Sequence, residues 1–175
     1  EVGTRPLRPD GIDKVTGRAR FGADASAPGM LVGRILRSPH AHAKIKKIDT
    51  SKALEIHGVL AVIDGPTLAK YNLHWMPTIS SDTQMVLPID EVMYQAQEVC
   101  AVIATERYIA ADGADAVEVE YEPLPVMVDP MKSIAPGAPV LRKDKKDKKD
   151  NIAFHWEAGD RAATDRALKE CDVVA

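Results

Sequence analysis

The stretch Gln95–Asp129, QAQEVCAVIATERYIAADGADAVEVEYEPLPVMVD, most constrains how this chain can fold. Val99-Cys100-Ala101-Val102-Ile103-Ala104 is a short continuous apolar run, suited to a strand buried on both faces. Thr105 offers a hydroxyl able to cap a helix N-terminus, and Glu106 beside it puts negative charge where the helix dipole favours it. To about Asp115 the chain is Ala-rich, with Ile109 and Ala110 sharing a helical face with Gly113 and Ala114. Gly113 weakens such a helix by roughly 1 kcal/mol relative to Ala, so tertiary packing must hold it. Val117-Glu118-Val119-Glu120-Tyr121 then alternates strictly, the mark of a strand with one face in water. Strand, helix, strand predicts a central βαβ unit with a right-handed crossover, ended by Pro123 and Pro125. The expected fold class is α+β.

At 175 residues and 45% hydrophobic, the chain has enough apolar material for one core, and wholesale disorder is excluded. A net charge of −3 gives no argument for a polyanion, so no nucleic-acid partner is expected. Cys100 and Cys171 stand far apart without a CxxC pattern. That fits a reducing compartment, and the expected location is cytoplasmic. No run approaches the ~20 apolar residues of a membrane span, and residues 1–6 do not read as a signal peptide. The chain lacks a starting Met and breaks off in an apolar run, Cys171 to Ala175, that reads as a strand beginning; the expectation is a fragment.

Residues 1–29, rich in Pro and Gly, read as an extended N-terminal arm anchored by Phe21. Residues 30–135 read as the main domain. Within it, strands are expected at Met30–Arg37, with Arg34 and Arg37 in water, and at Ala43–Asp49, with Ile45 and Ile48 in the core. A short helix capped by Thr50 or Ser51 should reach Glu55 and end at Gly58. Val59–Ile63 follows as a strand, Asp64-Gly65-Pro66 as a turn, and Ser80–Gln84 as a loop. Val126–Val128 suits an edge strand and Met131–Ile134 a turn of helix. Residues 136–150 read as a charged linker, because Lys143–Asp150, KDKKDKKD, mixes both signs in a solvated run. Residues 151–175 read as the start of a following domain, with a strand at Asn151–Trp156 and a helix capped by Asp160 running through Ala162, Leu168 and Lys169.

The residues offer several chemical temptations, each with a plainer explanation. His40 and His42 share one side of an extended segment, as a metal pair would, but no further ligands are grouped nearby, which favours polar turn residues. Asp144, Asp147 and Asp150 lack the spacing and Gly of a calcium loop, and their lysines repel a cation. Glu118, Glu120 and Glu122 project to one strand face, where water explains them; Glu98 adds a fourth carboxylate without a placed partner. His74, Trp75 and Met76 suit either a ligand pocket or a loop anchor. No GxGxxG or P-loop occurs, and no nucleophile with a placed base can be argued. No residue is assigned a catalytic, cofactor-binding or metal-ligating role.

Several segments resemble the large subunit of the molybdenum hydroxylases, the xanthine dehydrogenase and aldehyde oxidase family. They are Lys14–Phe21, Pro28–Leu31, Arg37–Ile45 (RSPHAHAKI), Ile48–Ser51, Gly58–Val62 and Gln97–Pro125. Together they correspond to the family's α/β hammerhead domain. Asn72–Thr78, Arg107-Tyr108 and Trp156–Asp160 are similar to the carbon monoxide-oxidising branch, whereas Val2–Arg20 looks more like the xanthine and aldehyde branch. The resemblance implies an oxidoreductase that uses water-derived oxygen at a molybdenum–molybdopterin cofactor bound mainly outside this stretch. In the carbon monoxide branch, copper joins the molybdenum. Implied partners are the remainder of the large subunit, an FAD-binding medium subunit and a 2Fe-2S small subunit, in a dimer of heterotrimers. Neither Cys100 nor Cys171 lies in the copper-ligand motif. Two alternatives stand beside the carbon monoxide reading: an aldehyde, xanthine or N-heterocycle hydroxylase, and a non-catalytic binding or structural domain on the same fold.

Overall fold

The computed structural model describes residues 2–78 and 83–173. A short helix α1 (Gly11–Val15) and a 3-10 turn (Gly22–Asp24) precede the first strand. Then come β1 (Val32–Arg37), β2 (Ala43–Asp49), α2 (Ser51–Glu55), β3 (Val59–Asp64), α3 (Gly65–Lys70), β4 (Trp75–Pro77), β5 (Thr83–Met85) and β6 (Glu91–Val92). The chain continues through β7 (Glu98–Ala104), α4 (Arg107–Asp115), β8 (Glu118–Pro123), α5 (Pro130–Ser133) and α6 (Arg161–Glu170).

Two antiparallel sheets, ordered β1-β7-β3 and β6-β2-β8, carry the core, and β4 and β5 form a separate hairpin. β7 is central to the first sheet because it is apolar on both faces. Cys100 and Val102 pack with Ala53, Ala114 and Val117, while Val99 packs with Ala43 and Val92 of the second sheet. Ile48 and Val119 touch both clusters and join them. α4 lies across the first sheet at very close range. A Cβ on Gly113 would stand 2.8 Å from Val102 Cγ1 and 3.0 Å from Val59 Cγ2, so glycine is what lets the helix approach. The helix weakness at Gly113 is thus offset by burial.

The expected βαβ crossover is corrected. β7 and β8 flank α4 in sequence but lie in different sheets, and every pairing among the described strands is antiparallel. Hydrophobic periodicity reports which face is buried, not which strand lies alongside. Charge carries that information here: Lys44 sits opposite Glu122 and Lys47 opposite Glu120 across the β2–β8 ladder. Lys46 Nζ stands 2.9 Å from Glu122, so opposite charges face each other across strands.

Local starts also differ from expectation. α4 begins after Glu106, with no side-chain cap, and Thr105 instead donates its backbone N–H to the Gly58 carbonyl. Thr50 precedes α2 without capping it; Asp49 Oδ1 accepts from Ser51 N and Oγ. Asp64-Gly65-Pro66 opens a helix, not a turn, because Asp64 accepts from Thr67 N at 2.8 Å and Pro66 suits the first helical turn. Gly65 is needed there, since a Cβ would lie 2.2 Å from the Pro88 carbonyl oxygen. Thr83 and Gln84 belong to β5, while the rest of the expected 80–84 loop lies outside the described residues.

Outside the sheets, Asp160 caps α6 through Ala163 N, as its position predicts. α5 matches the expected turn of helix near Met131. Phe21 is not an anchor: it stays 60% exposed. Val126–Val128 and Asn151–Trp156 are not strands, and neither joins an edge of the two sheets. Cys171–Val173 is likewise irregular, and the final two residues of that expected strand lie outside the described set.

Candidate functional site

His42 is tied through both of its ring nitrogens. It leaves β2's start with Nδ1 2.6 Å from the Pro125 carbonyl and Nε2 2.6 Å from Glu91 Oε1. A carbonyl can only accept, so Nδ1 carries a proton. With both ring nitrogens engaged, His42 fastens the β2 start, β6 and the segment after β8, and it is not presented as a metal ligand. His40 points away, its ring edge-on to Tyr121 with centroids 5.0 Å apart. Its backbone N–H donates to Ser38 Oγ, whose hydroxyl in turn donates to the His40 carbonyl. His40 thus sits in a turn, whereas His42, expected as a turn residue too, is a fastening.

Glu91, which the sequence did not single out, is the centre of this network. Burial alone would raise its carboxyl, but hydrogen bonds from His42 and Lys143 hold it below its ordinary value. Lys143 Nζ lies 3.1 Å from Glu91 Oε1, so the charged run is anchored at one end. Arg142 donates to the Thr83 carbonyl of β5 at 2.7 Å and pairs with Asp144. Lys145 reaches Thr83 Oγ1 and Lys148 the Ile152 carbonyl. Asn151 closes the segment by accepting from Leu141 N and donating to the Ser133 and Pro139 carbonyls. Residues 136–151 are therefore a strap lying on the body; Lys146, Asp147, Lys149 and Asp150 remain in water.

Beneath the strap lies an open cleft of about 520 Å³. Trp75, Met85, Met93, Tyr94 and Leu141 give it an apolar wall, and Asp90, Glu91, Arg142, Lys143 and Asp144 edge it. Gln97 also reaches it; its Oε1 accepts from Met93 N, and the turn before it holds Ala96 at φ 66. Of the sequence candidates His74, Trp75 and Met76, only Trp75 lines this cleft. His74 packs on Trp75 at 5.8 Å, with its buried Nδ1 lacking a partner among the described residues.

The remaining candidates disperse. Glu118 and Glu122 pair with Lys52 and with Lys44 and Lys46, and Glu98 with Arg37. Cys100 is a fully buried free thiol pushed up to about 11 by burial and by the nearby Asp64, so it is no nucleophile. Cys171 is free and exposed. No three His, Cys, Asp or Glu side chains cluster as a metal site among the described residues. The described residues thus offer no such donor cluster to a molybdenum centre. No helix among the described residues is long and apolar enough to cross a membrane.

Comparison with known proteins places this geometry. Residues 16–125 match the model of the aldehyde oxidase and xanthine dehydrogenase a/b hammerhead domain. The chain is 45% identical to the carbon monoxide dehydrogenase large chain of Afipia carboxidovorans, over 99% of this chain and 23% of that one. It is 44% identical to the same chain of Hydrogenophaga pseudoflava, over 91% and 21%. Among solved structures it superposes on the Cu,Mo-CO dehydrogenase in its carbon monoxide-reduced state with a TM-score of 0.79 and 46% identity, covering 98% of this chain and 23% of that one. The α+β class and the hammerhead fold expected from the resemblance are borne out. The chain spans less than a quarter of the length of these relatives.

Proposed function

This chain belongs to the aldehyde oxidase and xanthine dehydrogenase family, whose hammerhead domain it contains, and on that premise we propose that it is part of the large, molybdenum-cofactor subunit of a carbon monoxide dehydrogenase. The observation that carries this reading is the likeness to carbon monoxide dehydrogenase large chains along nearly the whole sequence. The cofactor, molybdenum–molybdopterin with copper, supplies oxidation of carbon monoxide with oxygen from water, and it is held by polypeptide outside residues 1–175. This chain's own residues provide a rigid platform: two sheets locked through Ile48 and Val119, with the His42–Glu91–Lys143 fastening holding the strap. On this reading residues 1–29 are an arm, 30–135 the hammerhead, 136–150 the connecting strap and 151–175 the start of the cofactor-binding domain. The partners are a flavin subunit and an iron–sulfur subunit, in a cytoplasmic dimer of heterotrimers.

The test is elemental analysis of the purified complex containing this chain, together with a carbon monoxide oxidation assay. Molybdenum and copper in equal amounts with this chain, and carbon monoxide turnover, support the reading. Molybdenum without copper turns it towards an aldehyde or N-heterocycle hydroxylase, a reading favoured by the 2–20 stretch alone. Neither metal overturns both.

A further inference from the structure

Three titratable side chains from distant parts of the chain meet at one point: His42 at the start of β2, Glu91 of β6 and Lys143 of the strap. Their hydrogen bonds fix where the protons lie. The Pro125 carbonyl can only accept, so Nδ1 of His42 is an N–H. Nε2 stands 2.6 Å from Glu91 Oε1, too close for two lone pairs to face each other, so one proton lies between them. Lys143 Nζ reaches both oxygens of the same carboxylate, at 3.1 and 3.3 Å. Burial acts to raise the Glu91 carboxyl, but the hydrogen bonds from His42 and Lys143 hold it below its ordinary value, in the ionised form. The shared proton therefore belongs to Nε2, and the ring is a cation between a carbonyl and a carboxylate.

The elements packed around the ring add little else that titrates. The segment after β8 presents Leu124 and Val126, and the strap Pro139 and Leu141, around a hollow of about 210 Å³. On β2, Lys44 and Lys46 turn to Glu122, and His40 lies against Tyr121. Asp90 and the Arg142–Asp144 pair edge the larger cleft beside Glu91.

We propose that His42, Glu91 and Lys143 form a proton-operated latch, which seats the strap while His42 holds its second proton and loosens the Leu141–Asp144 end when that proton leaves. Without the proton, Nε2 sets a lone pair against Glu91 Oε1. The carboxylate must turn away, and it takes the Lys143 contact with it. Because Leu141, Arg142, Lys143 and Asp144 line the cleft of about 520 Å³, the latch governs how far that cleft is open. Closure that needs a cationic imidazole is strongest at low pH and weakens as pH rises through the imidazole range.

The experiment is amide hydrogen exchange by mass spectrometry on the complete enzyme complex, from about pH 5.5 to about pH 9, corrected for the intrinsic pH dependence of exchange. The amides of Leu141, Lys143 and Lys145 donate to Asn151, Leu141 and Arg142, and they report the strap. Their protection should fall about tenfold across this range, while that of Val99–Ala104 stays unchanged. Exchange at the histidine C2 position, read in the same digests, should show His42 losing its proton over the interval in which the strap loosens. The step should vanish in both His42→Gln and Glu91→Gln, with β7 still protected as proof of a folded body. A strap equally protected throughout, a His42 that loses its proton with no change in the strap, or a step that survives in either variant overturns the latch.

Discussion

The body from β1 to β8 and the two flanks obey the same local rules and reach different ends. In the body, Val92, Val99, Cys100 and Val102 are completely buried, and two clusters interlock through Ile48 and Val119. In residues 2–31 and 152–173 no described side chain is buried, although Leu7, Val15, Phe21, Phe154 and Trp156 are as apolar as the core. α6 is well capped by Asp160 and still buries nothing. A helix of its 10 residues is marginal on its own in water, since most helical stability comes from packing an apolar face. Local signals build elements, but burial needs a second surface.

This contrast orders the expected effects of substitution. Gly65→Ala should be the most damaging, because the added Cβ meets the Pro88 backbone and no flexible side chain can give way. A loss of about 3 kcal/mol is expected, seen as a lower denaturant midpoint. Asn151→Ala removes three hydrogen bonds, two that close the strap on itself at Leu141 and Pro139 and one that ties it to Ser133. It should cost about 1–3 kcal/mol locally. The readout is faster hydrogen exchange across 136–151, with β7 unchanged. Leu168→Ala in α6 should fall within about 0.5 kcal/mol of the parent, since Leu168 is exposed. A large effect at Leu168 would erase the distinction between body and flank.

Acid should sharpen the same distinction. The Glu91 carboxyl is held below its ordinary value of 4.5 in the folded chain. Its contribution is therefore present above that value and lost as pH falls through the lower folded one. Denaturant midpoints followed across that window should drop, and Glu91→Gln should remove part of the drop. Cys100 and Cys171 offer a chemical version: burial pushes the Cys100 thiol up to about 11, so at pH 8 a thiol reagent should label Cys171 alone in the native chain.

What could be read from the residues follows the same physics. β7 was legible because a strand apolar on both faces needs cover on both sides, and α6 because Asp160 precedes a helical pattern. The strand partners were not, since alternation in Val117–Tyr121 says only that one face is wet; β8 joins β2, where lysines stand opposite its glutamates. α3 was hidden because Pro66 after a Gly signals a turn as readily as a first helical turn. Resemblance supplied the family, which periodicity alone did not. Glu91 was missed because a lone Glu in Ile89-Asp90-Glu91-Val92 has no local partner; His42 and Lys143 come from 49 and 52 residues away. The signal that existed was the Lys143 run, whose charges needed counter-charges somewhere on the body.

On the proposed reading, the flanks of the hammerhead body find their covering surface in the larger enzyme. Hydrogen exchange compared between residues 1–175 alone and the complete molybdenum complex tests it most directly. Strong, equal protection of Val99–Ala104 is expected in both, and protection of 2–31 and α6 only in the complex. Flanks protected equally in the isolated chain, or a β7 that exchanges freely there, would contradict it.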